Sequence, residues 1–240
     1  MDSGGTNFPT THWSLIKVVQ RGSEADARAA LESLCQNYWY PVYAYLRRSG
    51  QTPADAEDLT QAFFHRLIVE RGLQSADRQI GRLRSYLLGM LKRLLSDAAR
   101  HEAALKRGGG HAPVSFDALA AEVSYRIEPQ DTNSPDRVFD RAWAFRVMAR
   151  ATARLREAFA EGDNAEAFEH LREFLPEGDN DTSYRAVAVR MGVDERVVRL
   201  QVHRMRQRYR KLIEDEVRQT LDDPAELAGE LEHLLGLLGR

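Results

Sequence analysis

Apolar residues recur at intervals of three and four along most of this chain, and no stretch alternates with a period of two. Leu31, Leu34, Tyr38, Val42, Tyr45 and Leu46 form one such series. Leu59, Phe63, Leu67 and Ile68 form a second, and Leu83, Tyr86, Leu87, Met90, Leu91, Leu94 and Leu95 a third. Such spacing lays each series along one side of a helix, whereas a half-buried strand needs strict alternation. The expected fold is all-α. With 240 residues the chain is long enough for one large domain or two small ones, each with its own core.

Turn chemistry divides the chain. Thr52-Pro53 predicts a cap with proline at the first helical position, and Ser134-Pro135 repeats the signal. Pro41 interrupts the first series and predicts a kink. Between Lys106 and Ser134 lie Gly108-Gly109-Gly110, Pro113 and Pro129, a composition expected of a linker, with a short helix around 116–123. The triple glycine lacks the Gly-Lys-Ser/Thr ending of a phosphate loop. Further helices are expected over 135–161 and 165–175, with a turn at Gly178-Asp179-Asn180-Asp181. The expected organisation is an N-terminal helical domain at 1–107, a linker at 108–134, a C-terminal domain at 135–221 and a tail helix at 222–240.

The formal net charge of -2 conceals strong segregation. Residues 82–107 hold seven Lys/Arg against two acids, and residues 183–211 hold nine against two. Residues 116–181 carry fifteen acids and eight bases, and residues 213–240 eight acids and two bases. Two basic blocks alternating with two acidic ones predict two separate surfaces that face nucleic acid.

The second basic block has the spacing of a helix-turn-helix. Tyr184, Val187, Ala188 and Met191 pack a first helix, Gly192 supplies a turn that tolerates positive φ, and Asp194 caps the next helix. Val197, Val198, Val202 and Met205 are the expected inner face of that helix. Arg196, Arg199, His203, Arg204 and Arg206 then lie on the remaining surface, as expected of a helix that reads base edges and phosphates. A solvated basic face on a plain helical hairpin is the bland alternative.

Asp55-Ala56-Glu57-Asp58-Leu59-Thr60-Gln61-Ala62-Phe63-Phe64 puts acids where a helix dipole favours them. Read together with Leu67, it closely resembles the polymerase-binding helix of bacterial sigma factors of the small, two-domain extracytoplasmic-function (ECF) group. The resemblance continues through Arg84-Ser85-Tyr86-Leu87-Leu88-Gly89-Met90-Leu91-Lys92-Arg93-Leu94-Leu95-Ser96-Asp97 and resumes at 183–212, covering roughly 30–107 and 135–215. Phe8-Pro9-Thr10-Thr11-His12-Trp13 also resembles the start of a planctomycete-type subgroup.

The resemblance implies an initiation factor that binds core RNA polymerase, recognises promoter DNA and helps melt it. Asp55, Glu57 and Asp58 would meet basic residues on the clamp helices of the β′ subunit, with Gln61 and Phe64 nearby. Arg82, Arg84, Lys92, Arg93 and Arg100 would face the downstream promoter element, where Tyr86 either packs the domain or stacks on an unpaired base. Arg196, Arg199, His203, Arg204 and Arg206 would meet the upstream element, and the acidic interdomain segment would run toward the polymerase active centre. Arg93 stands where the family commonly has asparagine, which leaves the base preference open. The chain also continues past the family's usual end, into a helix with Leu227, Leu231, Leu234 and Leu238 on one face and acids elsewhere. Docking of that helix on the C-terminal domain is the simple expectation. Shielding of the basic recognition helix, or contact with a regulator such as an anti-sigma protein, is the sharper one.

Other classes fit less well. The seven histidines form no HExxH pair and no His-Asp dyad, and no cofactor motif is present, so an enzyme is not expected. Asp55, Glu57 and Asp58 on one helical turn do not make a cation shell without partners from elsewhere. Cys35, the sole cysteine, excludes an internal disulfide and a paired-cysteine zinc site, and its place on an apolar helix face predicts core packing. No stretch approaches a membrane span, and the first residues lack the build of a signal peptide, so a cytoplasmic protein is expected. A helix-turn-helix regulator that never touches polymerase remains the alternative. It leaves the acidic helix and the first basic block unexplained.

Overall fold

The computed structural model describes residues 15, 18, 22–69, 82–104, 118–127, 134–162, 164–176, 178 and 182–238. The segment 8–13, the triple glycine and the turn at 179–181 lie outside them. The described residues are helical almost throughout, and their one ladder contact is an isolated antiparallel bridge between Arg82 and Leu221. The chain folds as two compact units, one formed by residues up to Phe145 together with those from Arg218 onward, the other by Arg146–Val217.

In the first unit, α1 (Glu24–Arg48) opens on Ser23, whose Oγ accepts from the Asp26 backbone N–H at 3.3 Å. Val42, Tyr43, Ala44, Tyr45 and Leu46 are all buried, so this stretch is enclosed on every side. That enclosure explains why the helix runs unbroken through Pro41, where local chemistry would cost roughly 3 kcal/mol. α2 (Pro53–Val69) packs on α1, and α3 (Leu83–Ala104) packs on α2. Thr52 starts α2 as expected: its hydroxyl accepts from the Asp55 N–H at 3.2 Å and donates to the Asp55 carboxylate at 2.6 Å.

α4 (Ala118–Ile127) falls inside the expected linker yet packs on α1. Its Glu122 accepts from the Tyr43 hydroxyl at 2.7 Å, from Arg47 Nε at 2.8 Å and Nη2 at 3.1 Å, and from Arg126 Nε at 3.0 Å. The Arg47 hydrogen bond, aided by those of Tyr43 and Arg126, outweighs burial and holds the Glu122 carboxyl at about 2. α5 (Pro135–Ala160) opens at the expected Ser134-Pro135 boundary and continues from the first unit into the second.

The second unit holds α6 (Ala165–Leu171), a short 3₁₀ turn at Arg172–Phe174, α7 (Tyr184–Met191) and α8 (Glu195–Arg218), around a core that includes Leu155, Phe168, Val187, Val198 and Val202. The buried face of α8 is Val198, Val202, Met205 and Tyr209, at steps of four, three and four. Val197, expected inside, is 41 % exposed because it lies a hundred degrees round the helix from Val198. Glu216 is also buried, between Arg150 Nε at 2.7 Å and Arg154 Nη1 at 2.9 Å.

The tail forms a 3₁₀ turn at Pro224–Glu226, capped by Asp223, and then α9 (Leu227–Leu238). It belongs to the first unit, which corrects the expectation that it docks on the C-terminal domain. Its buried residues are Glu230, Leu234 and Leu237, so the inner face carries a carboxylate where only leucines were expected.

Candidate interfaces for polymerase and nucleic acid

The acids of α2 sit at its N-terminal turns. Asp55 and Asp58 are exposed, Glu57 is half-buried, and Gln61 Nε2 lies 3.5 Å from Glu57 Oε1, one turn on. Asp58 has no hydrogen bond or ion pair among the described residues, and its carboxylate is open to a cationic partner. Phe64 is different. It is buried, stacks on Trp39 at 5.9 Å between centroids and meets Phe63 edge-on at 5.4 Å. The expectation of a surface contact there is corrected: the ring builds the core that holds the acidic turn in place.

Of the basic residues expected to face the downstream element, Arg93 is exposed and unpaired among the described residues, and Tyr86 is half-buried. Arg100 is exposed and donates to Asp97 at 2.6 Å. Asp97 also accepts from Arg66 at 2.9 Å, and these two arginines, Arg66 first, hold its carboxyl below the ordinary carboxylate range. Lys92 donates to Asp136 at 2.6 Å in an exposed pair. Arg84 is buried, which corrects its expected place on the surface. It donates through Nη1 to Asp140 at 2.8 Å and through Nε and Nη2 to Glu230, and its guanidinium lies 5.7 Å from the Trp143 ring centroid. Burial alone would lower its pKa, but Glu230 and Asp140 raise it above the ordinary arginine value. Arg82 reaches Glu226 at 3.2 Å and Glu230 at 3.1 Å.

In the second unit α7 ends on Gly192, at φ 65°. The Val193 N–H bonds the Ala188 carbonyl at 3.1 Å and the Gly192 N–H bonds that of Val189 at 3.3 Å, which is the Schellman ending that a glycine permits. Asp194 then accepts from the Arg196 N–H at 2.7 Å and starts α8. Arg196 and Arg204 are exposed, with no side-chain ion pair among the described residues. Arg199 is held by Glu195 at 2.6 Å and lies 4.4 Å from the Tyr184 ring centroid, and that ring stacks on Phe174 at 4.5 Å. His203 is exposed, 3.0 Å from Gln207. Arg206 turns back to donate twice to the Phe174 carbonyl, at 3.0 and 2.8 Å.

The sequence reading missed Glu226, Glu230 and Asp140. The available signal was Glu230, set among the tail leucines at a position where its helix has to turn inward. Among the described residues no three His, Cys, Asp or Glu side chains gather to hold a metal ion, and no helix is long and apolar enough to cross a membrane. Cys35 is buried, and burial, with the nearby Glu32 charge, pushes its thiol up to about 12.

Residues 36–104 match the family model described as Sigma-70 region 2. The matched segment covers the C-terminal half of α1, all of α2 and all of α3, and so contains both the acidic turn and the first basic helix. No curated protein and no solved structure matches the chain.

Proposed function

We propose that this chain is a sigma factor of the ECF type, a non-enzymatic subunit that brings core RNA polymerase to a promoter and helps open it. One observation carries the reading: the segment that matches Sigma-70 region 2 presents an exposed acidic turn and an exposed Arg93 on adjoining helices. Asp55, Glu57 and Asp58 engage basic residues on the β′ clamp helices, and charge complementarity sets the speed and register of that encounter. α3 faces the downstream element through Arg93, with Lys92 and Arg100 exchanging their carboxylate partners for phosphates. α7 and α8 act as a helix-turn-helix on the upstream element, with Arg196 and Arg204 as the free cations and Arg199 pre-aimed by Tyr184. Such a protein works in the cytoplasm, where an anti-sigma protein can compete for the same surfaces. Membership of the planctomycete-type subgroup, suggested by the resemblance of residues 8–13 to its start, is part of the same proposal.

The test is to add the protein to sigma-free core polymerase on a library of promoters. Bound complexes and specific transcripts are expected. Promoter binding without core polymerase, and no transcripts with it, would favour an ordinary DNA-binding regulator instead.

A further inference from the structure

We infer that the C-terminal helix is an intramolecular competitor of promoter DNA, closing the N-terminal end of the basic helix α3 with its own carboxylates. The inference rests on the reading of α3 as a DNA-facing helix. Arg82, Tyr86, Gly89 and Arg93 recur at steps of four, three and four, which sets them along one stripe. The tail covers one end of that stripe and leaves the other open: Arg82 is taken by Glu226 and Glu230, while Arg93 remains exposed.

The contact has a lock and a latch. The lock is Arg84, whose Nε and Nη2 both donate to Glu230, with Asp140 on Nη1; the Arg84 side chain is 8 % exposed and that of Glu230 1 %. The chain entering the tail is fixed as well, since the Leu83 N–H bonds the Thr220 carbonyl at 3.2 Å. The latch is the Arg82–Glu226 pair, each side chain about a third exposed. Exposed pairs of this kind contribute little and exchange readily. A DNA phosphate offers the Arg82 guanidinium the same planar oxygen pair that the carboxylate does. The tail also brings negative charge to the site, five acids against one base over 222–240, which repels the DNA backbone while the helix is docked. Opening the latch frees Arg82 from Glu226 and leaves it on Glu230, and release of the lock then exposes Arg82 fully and carries the tail's negative charge away.

The test compares the affinity of the full chain, assembled with core RNA polymerase, for a labelled promoter fragment unpaired at the downstream element. Glu226→Gln/Glu230→Gln should bind about tenfold more tightly than the wild type, corresponding to the loss of two competing charges. Gly229→Asp works in the opposite direction. A Cβ at Gly229 would stand 3.4 Å from Arg82 Nη2, so the added carboxylate joins the latch, and affinity should fall about threefold. Unfolding curves taken alongside show whether each variant is folded, and Gly229→Asp tests the idea even where the double variant is not. If both variants bind as the wild type does, while Arg93→Ala weakens binding, the competitor role is overturned and α3 keeps its DNA face. If Arg93→Ala also changes nothing, the DNA face itself is lost and the competitor role with it.

Discussion

Arg84 and Glu230 lie 146 residues apart in the chain and meet through two N–H···O contacts in a buried setting. Removing Glu230 leaves the buried Arg84 with Asp140 but with its Nε and Nη2 unpaired, so Glu230→Ala should destabilise the first unit by roughly 3 kcal/mol in urea unfolding. Replacing both, as Arg84→Met/Glu230→Leu, should cost much less, since Asp140 keeps His233 at 3.2 Å. Equal losses in the single and double variants would show that the pair contributes shape rather than charge compensation.

Glu122 gives the first unit a measurable acid sensitivity. Its carboxyl is held at about 2, below the ordinary 4.5, chiefly by the Arg47 hydrogen bond. A depressed carboxylate contributes stability that is present above its unfolded value and is lost as pH falls through the folded one. The stability difference between wild type and Glu122→Gln should therefore be flat above about pH 5, on the order of 3 kcal/mol, and shrink toward zero between about 4.5 and 2. Denaturant curves at a series of pH values check this, and a difference that stays constant down to pH 2 would contradict it.

The sequence revealed what depends on local chemistry. The starts of α2 and α5 follow from Thr52-Pro53 and Ser134-Pro135, and the end of α7 from the αL preference of Gly192. The acidic turn and the basic helices were legible because charge is read along the chain. Pairings between distant residues were not. Nothing local to Glu122 says that it meets Tyr43 and Arg47, and nothing local to Glu230 says that it meets Arg84. Those pairings draw α4 and the tail into the first unit. The same limit hid Phe64 and Arg84, each of which carries the right residue type in the right motif but points inward.

Asp58 and Phe64 share α2 and should separate cleanly by experiment. Asp58→Arg reverses an exposed charge and should leave thermal stability within about 0.5 kcal/mol of the wild type. On the proposed function, the arginine would meet the basic polymerase clamp and weaken core binding by about a hundredfold or more. Phe64→Ala empties a buried, stacked site and should cost roughly 3–5 kcal/mol. Core binding measured by native mass spectrometry, beside melting curves for both variants, distinguishes the two. Core binding that survives Asp58→Arg would move the polymerase contact away from this turn.

Gly192 offers a test of backbone geometry alone. Nothing lies within 4 Å of a Cβ placed there, so a side chain meets no neighbour and the whole cost comes from φ 65°. Gly192→Ala should destabilise the second unit by about 1–2 kcal/mol, Gly192→Val by more, and Gly192→Asn least of the three. Chemical denaturation orders them. A neutral Gly192→Val would mean that α7 and α8 can join without the left-handed turn.

Arg204 and Arg206 lie on one helix two residues apart, yet the structure gives them different work. Arg206 spends two N–H groups on the Phe174 carbonyl, so Arg206→Ala leaves that carbonyl without its partner and should cost roughly 1.5–3 kcal/mol of stability. Arg204 is exposed and unpaired among the described residues, so Arg204→Ala should leave stability within about 0.5 kcal/mol. On the proposed function its effect belongs in DNA binding. Loss of one phosphate contact should reduce the slope of log affinity against log salt by about 0.9 on a duplex carrying the upstream element. Affinities measured across a salt series for both variants provide the check, with Arg206→Ala compared at a temperature where it is fully folded. If Arg204→Ala leaves the slope unchanged while Arg206→Ala lowers it, the roles of the two arginines are reversed and α8 meets DNA through the side that carries Arg206.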